Sequence, residues 1–328
     1  MPVAEVPVSV ELVRSLLGEQ HPDLAGPPVE VLANGWDNFV CRLGKEFLVR
    51  LPRRAMAAEL VVHEQRWLPE LSGRLVEVRI GVDDPDDLAA AAFRLERLGV
   101  VGEQHGTTLT AYDKATVIRA VLEVAPRLTQ PIVPATPYNG PGRVERAGAR
   151  APGILRTDPV RPRKLGHAVV GTTDFDATTA FFRDGLGFKA SDYIKNVGAF
   201  LRCSTDHHNI LVMKAPVAFL HHTSWQVDDI DDVGRGATAM LEGNPERHVW
   251  GLGRHHAGSN FFWYLKDPAG NFSEYYSDMD CVVDDQLWTP EVLEGAKGLF
   301  NWGPPPPPSF LHPEDLAAMM TGTHSAGR

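Results

Sequence analysis

Histidine is the residue type in this sequence that points most directly to chemistry. The chain of 328 residues has 13 histidines, and eight of them fall between residues 167 and 256. Six of these eight form adjacent pairs, which are His207–His208, His221–His222 and His255–His256. A single histidine is more often a surface or core residue than a ligand. Three pairs within one segment instead favour a metal site or an acid–base site.

Two of these histidines and one glutamate could form a metal centre. Two neutral imidazoles and one carboxylate on one side of a redox metal leave its other positions open for a substrate and O2. His167 and His222 begin two consecutive sequence repeats, and Glu274 lies on the last strand predicted in the second repeat. Because side chains alternate along a strand, Glu274 shares a face with Phe272 and Tyr276. We therefore predict that His167, His222 and Glu274 are metal ligands.

The repeat has the order βαβββ. Its first copy has a strand over residues 164–171 and a helix over 174–184, and its second copy has a strand over 219–227 and a helix over 229–241. His167 stands seven residues before Asp174, and His222 stands seven residues before Asp229. Each of the two aspartates is a plausible N-cap for its helix. This register selects His222 over its neighbour His221, which we expect to face the other way.

A third copy of the repeat begins at residue 76, where Glu77 takes the position of the two histidines, so we expect this copy to lack a ligand. The Pro- and Gly-rich stretch that follows it reads as a linker. The resulting organisation is residues 1–75 as a separate segment, 76–130 as a non-catalytic module, 131–163 as the linker, 164–280 as the catalytic domain and 281–328 as a proline-rich tail. Five consecutive prolines, Pro304–Pro308, favour a tail that lies across the surface.

Bulk composition limits the possible partners. A net charge of −10 argues against nucleic acid or an anionic membrane as the main partner, and no apolar run approaches the length of a membrane span. The three cysteines, Cys41, Cys203 and Cys281, are far apart and odd in number. They suit reduced thiols in the cytoplasm and disfavour a disulfide framework.

Residues 164–280 resemble the catalytic domain of type I extradiol dioxygenases, which belong to the vicinal oxygen chelate superfamily. The stretches that carry the resemblance are LGHAVVGTTDFDATTAFFRDGLGF, DHHNILV, FLHHTSWQVDDIDDV and GLGRHHAGSNFFWYLKDPAGNFSEYYSD. The resemblance implies an α+β chain with repeated βαβββ modules that form open barrel-like sheets. It also implies an enzyme that inserts O2 into a catechol-type ring adjacent to the hydroxyls, giving a muconic semialdehyde-type product.

The same resemblance implies roles for further residues and for a cofactor. His208 matches an acid–base histidine, and His255 and Tyr264 match residues that hydrogen-bond the bound diol. The metal is expected to be Fe(II), with Mn(II) as a second option, and the assembly is expected to be a homo-oligomer. His207 and His256 are interpreted as scaffold residues or as residues that orient a ligand.

The first 75 residues depart from this pattern and instead resemble the amino-terminal lobe of aminoglycoside phosphotransferase-like kinases. The resemblance rests on NGWDNFVCRLG, FLVRLPRR and EQRWLPEL. It implies that Arg50 would hold phosphates and pair with Glu59 or Glu64. No H-x-D catalytic loop with a downstream metal-binding aspartate follows, so kinase activity is not expected. We interpret the segment as a fusion remnant.

Two alternatives to a dioxygenase remain open from the sequence. The first keeps the fold and the metal but changes the reaction to that of a glyoxalase- or epimerase-like enzyme. The second is a non-catalytic binding protein on the same scaffold, which would not need metal ligands. The sequence does not identify the diol or the side on which its ring would open.

Overall fold

The computed structural model of the chain describes residues 7–20, 22–34, 38–44, 47–52, 75–215, 217–268 and 270–311. By its internal contacts the chain separates into two units, Met1–Leu71 and Ser72–Arg328. Among the described residues, no helix combines the length and the apolar character needed to cross a membrane.

The described part of the first unit is one helix and one antiparallel sheet. Its elements are α1 (Val10–Gln20), β1 (Val29–Asn34), β2 (Asn38–Leu43) and β3 (Phe47–Pro52), with the strands paired in chain order. Val13 and Leu17 of α1 pack with Phe39, Cys41 and Leu43 of β2 in a small apolar core.

The kinase-like interpretation of residues 1–75 is not confirmed. Arg50, the expected phosphate ligand, lies on β3. Glu59 and Glu64, its expected partners, lie outside the described residues. A three-stranded antiparallel sheet is common to many folds and does not by itself identify a kinase lobe.

The second unit begins with a βαβββ module. Its elements are β4 (Glu77–Val82), α2 (Pro85–Arg97), β5 (Gly102–His105), β6 (Thr108–Tyr112) and β7 (Arg119–Val124), in the sheet order β4-β7-β6-β5. Asp84 caps α2 by accepting hydrogen bonds from the backbone N–H groups of Asp86 and Asp87. Glu77 forms ion pairs with Arg119 and Arg79. The position that matches the two histidines therefore carries a surface ion pair.

Two more modules of the same topology share one sheet. The first contains β8 (Lys164–Thr172), α4 (Phe175–Ala180), β9 (Lys189–Ile194), β10 (Gly198–Arg202) and β11 (Ile210–Lys214). The second contains β12 (Phe219–Gln226), α5 (Ile230–Leu241), β13 (His248–Arg254), β14 (Phe261–Lys266) and β15 (Phe272–Ser277). With β16 (Val292–Leu293) at one edge, the described strands follow the order β13-β14-β15-β12-β8-β11-β10-β9-β16. This α+β arrangement confirms the internal repeat.

The joint between these two modules determines where their side chains meet. β8 and β12 pair antiparallel at the centre of the sheet, whereas β8 pairs parallel with β11 and β12 pairs parallel with β15. The first strand of each module is therefore flanked by the other module's first strand and by its own last strand. Three consecutive strands, β15, β12 and β8, consequently line one central strip of the sheet.

Aspartate caps hold the two helices in the register that the sequence predicts. The Asp174 carboxylate accepts a hydrogen bond from the Ala177 N–H, and the Asp229 carboxylate accepts one from the Asp232 N–H. Both predicted N-caps are thus confirmed. The first helix is shorter than predicted, because the chain passes into a π-helical turn over Phe181–Gly185.

The first module of the second unit packs against the π-helical turn. Leu88, Leu95 and Leu109 share a buried core with Phe181 and Phe182. Arg94 Nε donates a hydrogen bond to the Gly185 carbonyl at 3.1 Å. A module without a candidate metal ligand therefore supports the module that carries His167.

The stretch expected to be a linker makes specific bonds to α5. Thr136 Oγ1 donates to the Asp229 carboxylate at 2.6 Å, and Arg156 donates to both Asp229 and Asp232. This stretch includes a short helix, α3 (Pro152–Leu155). It is therefore attached along the second module.

The proline run lies at the surface as expected, whereas the last described turn is anchored by a buried side chain. Pro304 and Pro305 are exposed, but α6 (Pro308–Leu311) carries Phe310, which is 4% exposed. Phe310 packs against Trp250, Tyr264 and Phe272. A buried aromatic ring after the prolines anchors the segment to the sheet.

Candidate metal centre

The side chains of His167, His222 and Glu274 converge on the central strip of the sheet. His167 Nε2 lies 3.1 Å from Glu274 Oε2, and His222 Nε2 lies 3.6 Å from the same oxygen. The potential ligand atoms of all three lie within 4.8 Å of one another, and the three residues are buried. The structure thus brings together the three residues selected from the sequence, and their role as metal ligands stays a prediction.

Strand register explains the convergence. Ser224 of β12 pairs with His167 on one side and with Glu274 on the other. His222 lies two residues before Ser224 and so shares its face. Ser224 is fully buried, and its small side chain lies between two larger ones. The site is therefore a row of His167, Ser224 and Glu274 across three strands, with His222 beside it.

The donor atoms fit a divalent cation. His222 Nε2 and Glu274 Oε2 are buried and lack a hydrogen-bond partner within the described residues. Leaving such atoms unpaired costs about 1–3 kcal/mol each, more for a charged group, and a coordinated metal ion would remove that cost. The other oxygen, Glu274 Oε1, accepts a hydrogen bond from Asn260 Nδ2 at 3.2 Å. Two imidazoles and one carboxylate are the donor set of non-haem Fe(II) sites.

Glu274 remains ionised despite complete burial. Burial alone would raise its pKa, but the neighbouring imidazoles of His167, His222 and His255 lower the pKa well below the usual range for a glutamate. Burial in turn lowers the pKa of His222 to about 4, an effect that Glu274 opposes. The site therefore presents one negative charge and a neutral imidazole, which suits a cation.

His221 adopts an arrangement that strand alternation does not predict. In the pairing of β12 with β8 the register shifts between Leu220 and His222, so His221 is the extra residue of a β-bulge. A bulge re-aims its side chain, and His221 lines the same cavity as His222. The expectation that His221 faces the other way is therefore wrong. Its Nε2 lies 3.0 Å from the Phe310 carbonyl, and its Nδ1 lies 2.7 Å from His222 Nδ1.

His208 lines the cavity beside His167, with 4.1 Å between the ring centroids. Burial, together with the neighbouring His167 and His207, lowers the pKa of His208 well below its usual value, so the ring is neutral at neutral pH. His207 is buried behind it. His207 Nδ1 lies 3.0 Å from His208 Nδ1, and His207 Nε2 lies 3.0 Å from the Asp192 carboxylate. This contact supports the interpretation of His207 as an orienting residue.

At the other side of the centre, His255 directly follows β13 and Tyr264 lies on the neighbouring strand β14. His255 Nε2 is 3.0 Å from the Tyr264 hydroxyl and 3.5 Å from Glu274 Oε1. His255 Nδ1 donates to the Leu299 carbonyl. Because a carbonyl can only accept, the proton of a neutral His255 ring lies on Nδ1, and Nε2 of that ring accepts from the Tyr264 hydroxyl. Burial and then the negative charge of Glu274 raise the pKa of Tyr264 well above its usual value, which keeps the hydroxyl protonated.

One cavity of about 480 Å³ is lined by six of these side chains, which are His167, His208, His221, His222, His255 and Tyr264. Away from the histidines its walls are mainly apolar, with contributions from Val169, Phe200, Leu211, Met213, Leu299 and Phe310. Apolar walls with a few convergent polar groups are typical of small-molecule sites. The candidate acid–base and substrate-binding residues therefore line one shared cavity.

Sequence motifs alone did not identify four contributors to this site. Asp192, Asn260, Ser224 and Phe310 carry no metal-ligating pattern, and each lies beside a histidine or Glu274 only after folding. The sequence did draw attention to Asn260, because the letters GSN closely follow the third histidine pair, but it did not indicate the contact with Glu274. Nothing local signals the Phe310 carbonyl, because it approaches His221 from 89 residues away.

Comparison with protein families assigns the domain that contains the centre. Residues 164–275 match the sequence profile of the Glyoxalase/Bleomycin resistance protein/Dioxygenase superfamily. This segment is a domain of that superfamily. The fold expected from the resemblance, with repeated βαβββ modules, is confirmed for this domain.

Curated relatives match about half of the chain. Metapyrocatechase 2 of Cupriavidus necator is 35% identical over 176 residues, which are 52% of this chain and 55% of the relative. A manganese-dependent 2,3-dihydroxybiphenyl 1,2-dioxygenase of Geobacillus genomosp. 3 is 30% identical, over 44% of this chain and 50% of the relative. An iron-dependent extradiol dioxygenase of Rhodococcus jostii is 31% identical, over 42% of this chain and 50% of the relative. The chain spans about half the length of these relatives.

Solved structures of the same fold cover more of the chain. A Mn(II)-bound glyoxalase from Novosphingobium aromaticivorans superposes with a TM-score of 0.56 at 21% identity, over 91% of this chain and 89% of that one. The 2,2',3-trihydroxybiphenyl 1,2-dioxygenase of Sphingomonas wittichii superposes with a TM-score of 0.53 at 20% identity, over 92% of this chain and 96% of that one. At these identities the likeness concerns the fold.

Proposed function

We propose that the chain is a metal-dependent extradiol dioxygenase that inserts O2 into the ring of a catechol-type diol adjacent to the hydroxyls. The product would be a muconic semialdehyde-type compound that contains both oxygen atoms of O2. The observation that carries the proposal is the meeting of His167, His222 and Glu274 beside one cavity that His208, His255 and Tyr264 also line. The names of the curated relatives support the same reaction.

His167, His222 and Glu274 would hold Fe(II), with Mn(II) as the alternative, since relatives named for each metal match this chain. When bound, such a metal would bring the diol and O2 together and pass electron density between them. Glu274 would supply the single negative charge, and Asn260 would hold the carboxylate by its second oxygen.

His208 would act as the acid–base residue. Its ring is neutral and lines the cavity, so it can accept a proton from a diol hydroxyl and return it when the O–O bond breaks. His207 would hold the ring in place through the contact between their Nδ1 atoms.

Tyr264 and His255 would orient the diol. The Tyr264 hydroxyl donates to His255, so its oxygen can accept a hydrogen bond from a protonated diol oxygen. Both residues are held from behind, His255 by the Leu299 carbonyl and Tyr264 by stacking on Trp250. Two fixed groups on one side of the ring would favour one orientation of the substrate.

The charge and the composition support small-molecule partners. We further propose that the chain forms a homo-oligomer. We also propose that it is located in the cytoplasm, in keeping with the net charge of −10 and the free cysteines of the described residues. Light scattering on the purified protein would test the assembly.

Oxygen uptake tests the proposed reaction. The protein would be purified anaerobically, loaded with Fe(II) or Mn(II), and mixed with a panel of catechols in an oxygen-electrode cell. We expect one O2 consumed per diol and a yellow ring-fission product whose mass equals that of diol plus O2. A colourless product from cleavage between the hydroxyls would contradict the extradiol assignment. Metal binding without O2 uptake would favour a glyoxalase-like enzyme, and a lack of metal binding would favour a binding protein.

A further inference from the structure

A chain of hydrogen bonds connects the carboxyl-terminal segment to one candidate metal ligand. The Phe310 carbonyl lies 3.0 Å from His221 Nε2, and His221 Nδ1 lies 2.7 Å from His222 Nδ1. At the far end of this chain, His222 Nε2 is buried and has no hydrogen-bond partner among the described residues. Three of the four ring nitrogens in the chain are therefore donors or acceptors with one identifiable neighbour each.

The end of this chain determines where the protons lie. A backbone carbonyl can only accept, so His221 Nε2 carries a proton and donates it. A neutral His221 then has a lone pair on Nδ1, which can only accept from His222 Nδ1–H. A neutral His222 that is protonated on Nδ1 has its lone pair on Nε2. That atom lies 3.6 Å from Glu274 Oε2, on the side where the candidate ligands converge.

The alternative tautomer would oppose metal binding. If His222 carried its proton on Nε2, that proton would point towards the Glu274 carboxylate and form a charge-assisted hydrogen bond with it. The nitrogen would then have no lone pair for a metal ion. Water cannot readily replace His221 as the acceptor for Nδ1–H, because His221 is 3% exposed and His222 is 5% exposed.

We propose that His221 is a positioning residue that uses the Phe310 carbonyl to hold His222 in its Nδ1–H tautomer, with Nε2 free to bind the metal. This inference rests on the metal site of the proposed function. It assigns a role to the bulge at His221, where both ring nitrogens lie within hydrogen-bond distance of their partners. It also assigns a role at the metal site to the segment after the prolines, since that segment supplies the Phe310 carbonyl.

A second adjacent pair repeats the arrangement independently. His207 Nε2 contacts the Asp192 carboxylate at 3.0 Å, and His207 Nδ1 contacts His208 Nδ1 at 3.0 Å. Both adjacent pairs therefore have the same arrangement. An acceptor contacts the first imidazole of the pair, and the first imidazole contacts the second, which is the one with a proposed function. In each pair both histidines are buried and the second lines the cavity.

The tautomers can be read directly in the metal-free protein. The full chain labelled with ¹⁵N-histidine would be studied by long-range ¹H–¹⁵N correlation NMR at neutral pH, with assignments from single His→Gln variants. We expect His222 to be protonated on Nδ1 and His221 on Nε2. Detection of His222 as the Nε2–H form, or as an imidazolium, would overturn the proposal.

Metal affinity tests the consequence in the full chain. Mn(II) binding would be measured by competition with a chelator for the parent, His221→Leu, His221→Gln and the exposed control His248→Gln. A glutamine amide offers one donor and one acceptor, as the His221 ring does, whereas leucine offers neither. We expect His221→Leu to bind Mn(II) about 10- to 100-fold more weakly, as for loss of an outer-shell partner, and the two Gln variants to keep most of the affinity.

The outcomes separate this inference from the proposed reaction. Parental Mn(II) affinity in His221→Leu would overturn the positioning role, and a Leu variant that fails to fold leaves the parent's NMR spectrum as the deciding measurement. A protein with His222 in the Nδ1–H form that binds Mn(II) but consumes no O2 contradicts the proposed function alone. A protein that consumes O2 with His222 in the Nε2–H form contradicts the positioning role alone.

Discussion

His167 Nε2 and Glu274 Oε2 lie 3.1 Å apart, although the two residues belong to different modules. Between them stands only β12, whose Ser224 pairs with both. Neither module alone can form this contact, because β8 supplies the imidazole and β15 supplies the carboxylate. The antiparallel joint between β8 and β12 therefore creates the candidate site.

Glu274→Gln should remove the metal while preserving the shape of the side chain. The substitution takes away the negative charge of the site. Loss of an outer-shell partner weakens metal binding about 10- to 100-fold, and we expect loss of Glu274 to weaken it further. Metal content would be measured by inductively coupled plasma mass spectrometry after anaerobic loading. Glu123→Gln on β7, the equivalent strand of the first module, is the matched control. Stoichiometric metal in Glu274→Gln would remove Glu274 from the ligand set.

His208→Ala should separate metal binding from turnover. His208 lines the cavity but is absent from the cluster of candidate ligands, so metal content should stay at the parental level. We expect turnover to fall about 10²- to 10⁴-fold, the usual effect of losing a general acid–base residue. Oxygen uptake and metal content would be measured on the same preparation, with His256→Ala as the control. Unchanged turnover would show that another group moves the proton.

Asp229→Asn should alter the pH dependence of stability. Burial raises the pKa of Asp229, but hydrogen bonds from Arg156 and Thr136 outweigh it and lower the pKa from 3.8 to about 2. The folded state therefore favours the ionised form, and this contribution is complete above about pH 4. It is lost as the pH falls from about 4 to about 2, because the unfolded chain takes up the proton first.

Asparagine is also a good N-cap, so Asp229→Asn isolates the charge from the cap. We expect the variant to lose about 1 kcal/mol of unfolding free energy at pH 6, a figure reduced for solvent screening, and to lose little at pH 2.5. Urea unfolding at several pH values would measure the difference. An equal difference at both pH values would mean that the ion pair with Arg156 does not produce the effect.

Phe310→Ala tests whether the carboxyl-terminal segment belongs to the cavity. Phe310 is 4% exposed and packs on three aromatic rings, so we expect a loss of about 3–5 kcal/mol of unfolding free energy. Leu287→Ala is the control, since Leu287 is 82% exposed and its loss should change stability by less than about 0.5 kcal/mol. Equal stability of the two variants in urea unfolding would mean that Phe310 is not buried and that the segment lies on the surface.

Gly166→Ala should disturb the wall beside His167. A Cβ at this position would lie 2.0 Å from the Tyr276 hydroxyl, and Tyr276 packs against His167. Overpacking of this kind costs about 1–3 kcal/mol. Gly234→Ala in α5 meets no atom within 4 Å and should instead stabilise the helix by about 0.5–1 kcal/mol. Thermal unfolding of both variants would check that Gly166→Ala lowers the stability and that Gly234→Ala raises it.

Local patterns were sufficient for the repeat, the helix caps and the choice of His222. Each follows from residues within one module: alternation along a strand, an aspartate before a helix and a constant spacing of seven. The same patterns mark β5 and β9 only weakly, because both strands are short and mostly polar or mixed in character. Weak alternation carries little information, because only one side of such a strand needs to be apolar.

The sequence by itself determined which three side chains could bind a metal ion, because strand periodicity and the repeat depend only on neighbours in the chain. Tertiary structure alone decided which atom of each side chain is available. The bulge at His221 arises from its pairing with β8, and the Phe310 carbonyl reaches His221 from the end of the described chain. The position of an imidazole proton depends on the acceptor it meets, and here that acceptor is 89 residues away in sequence.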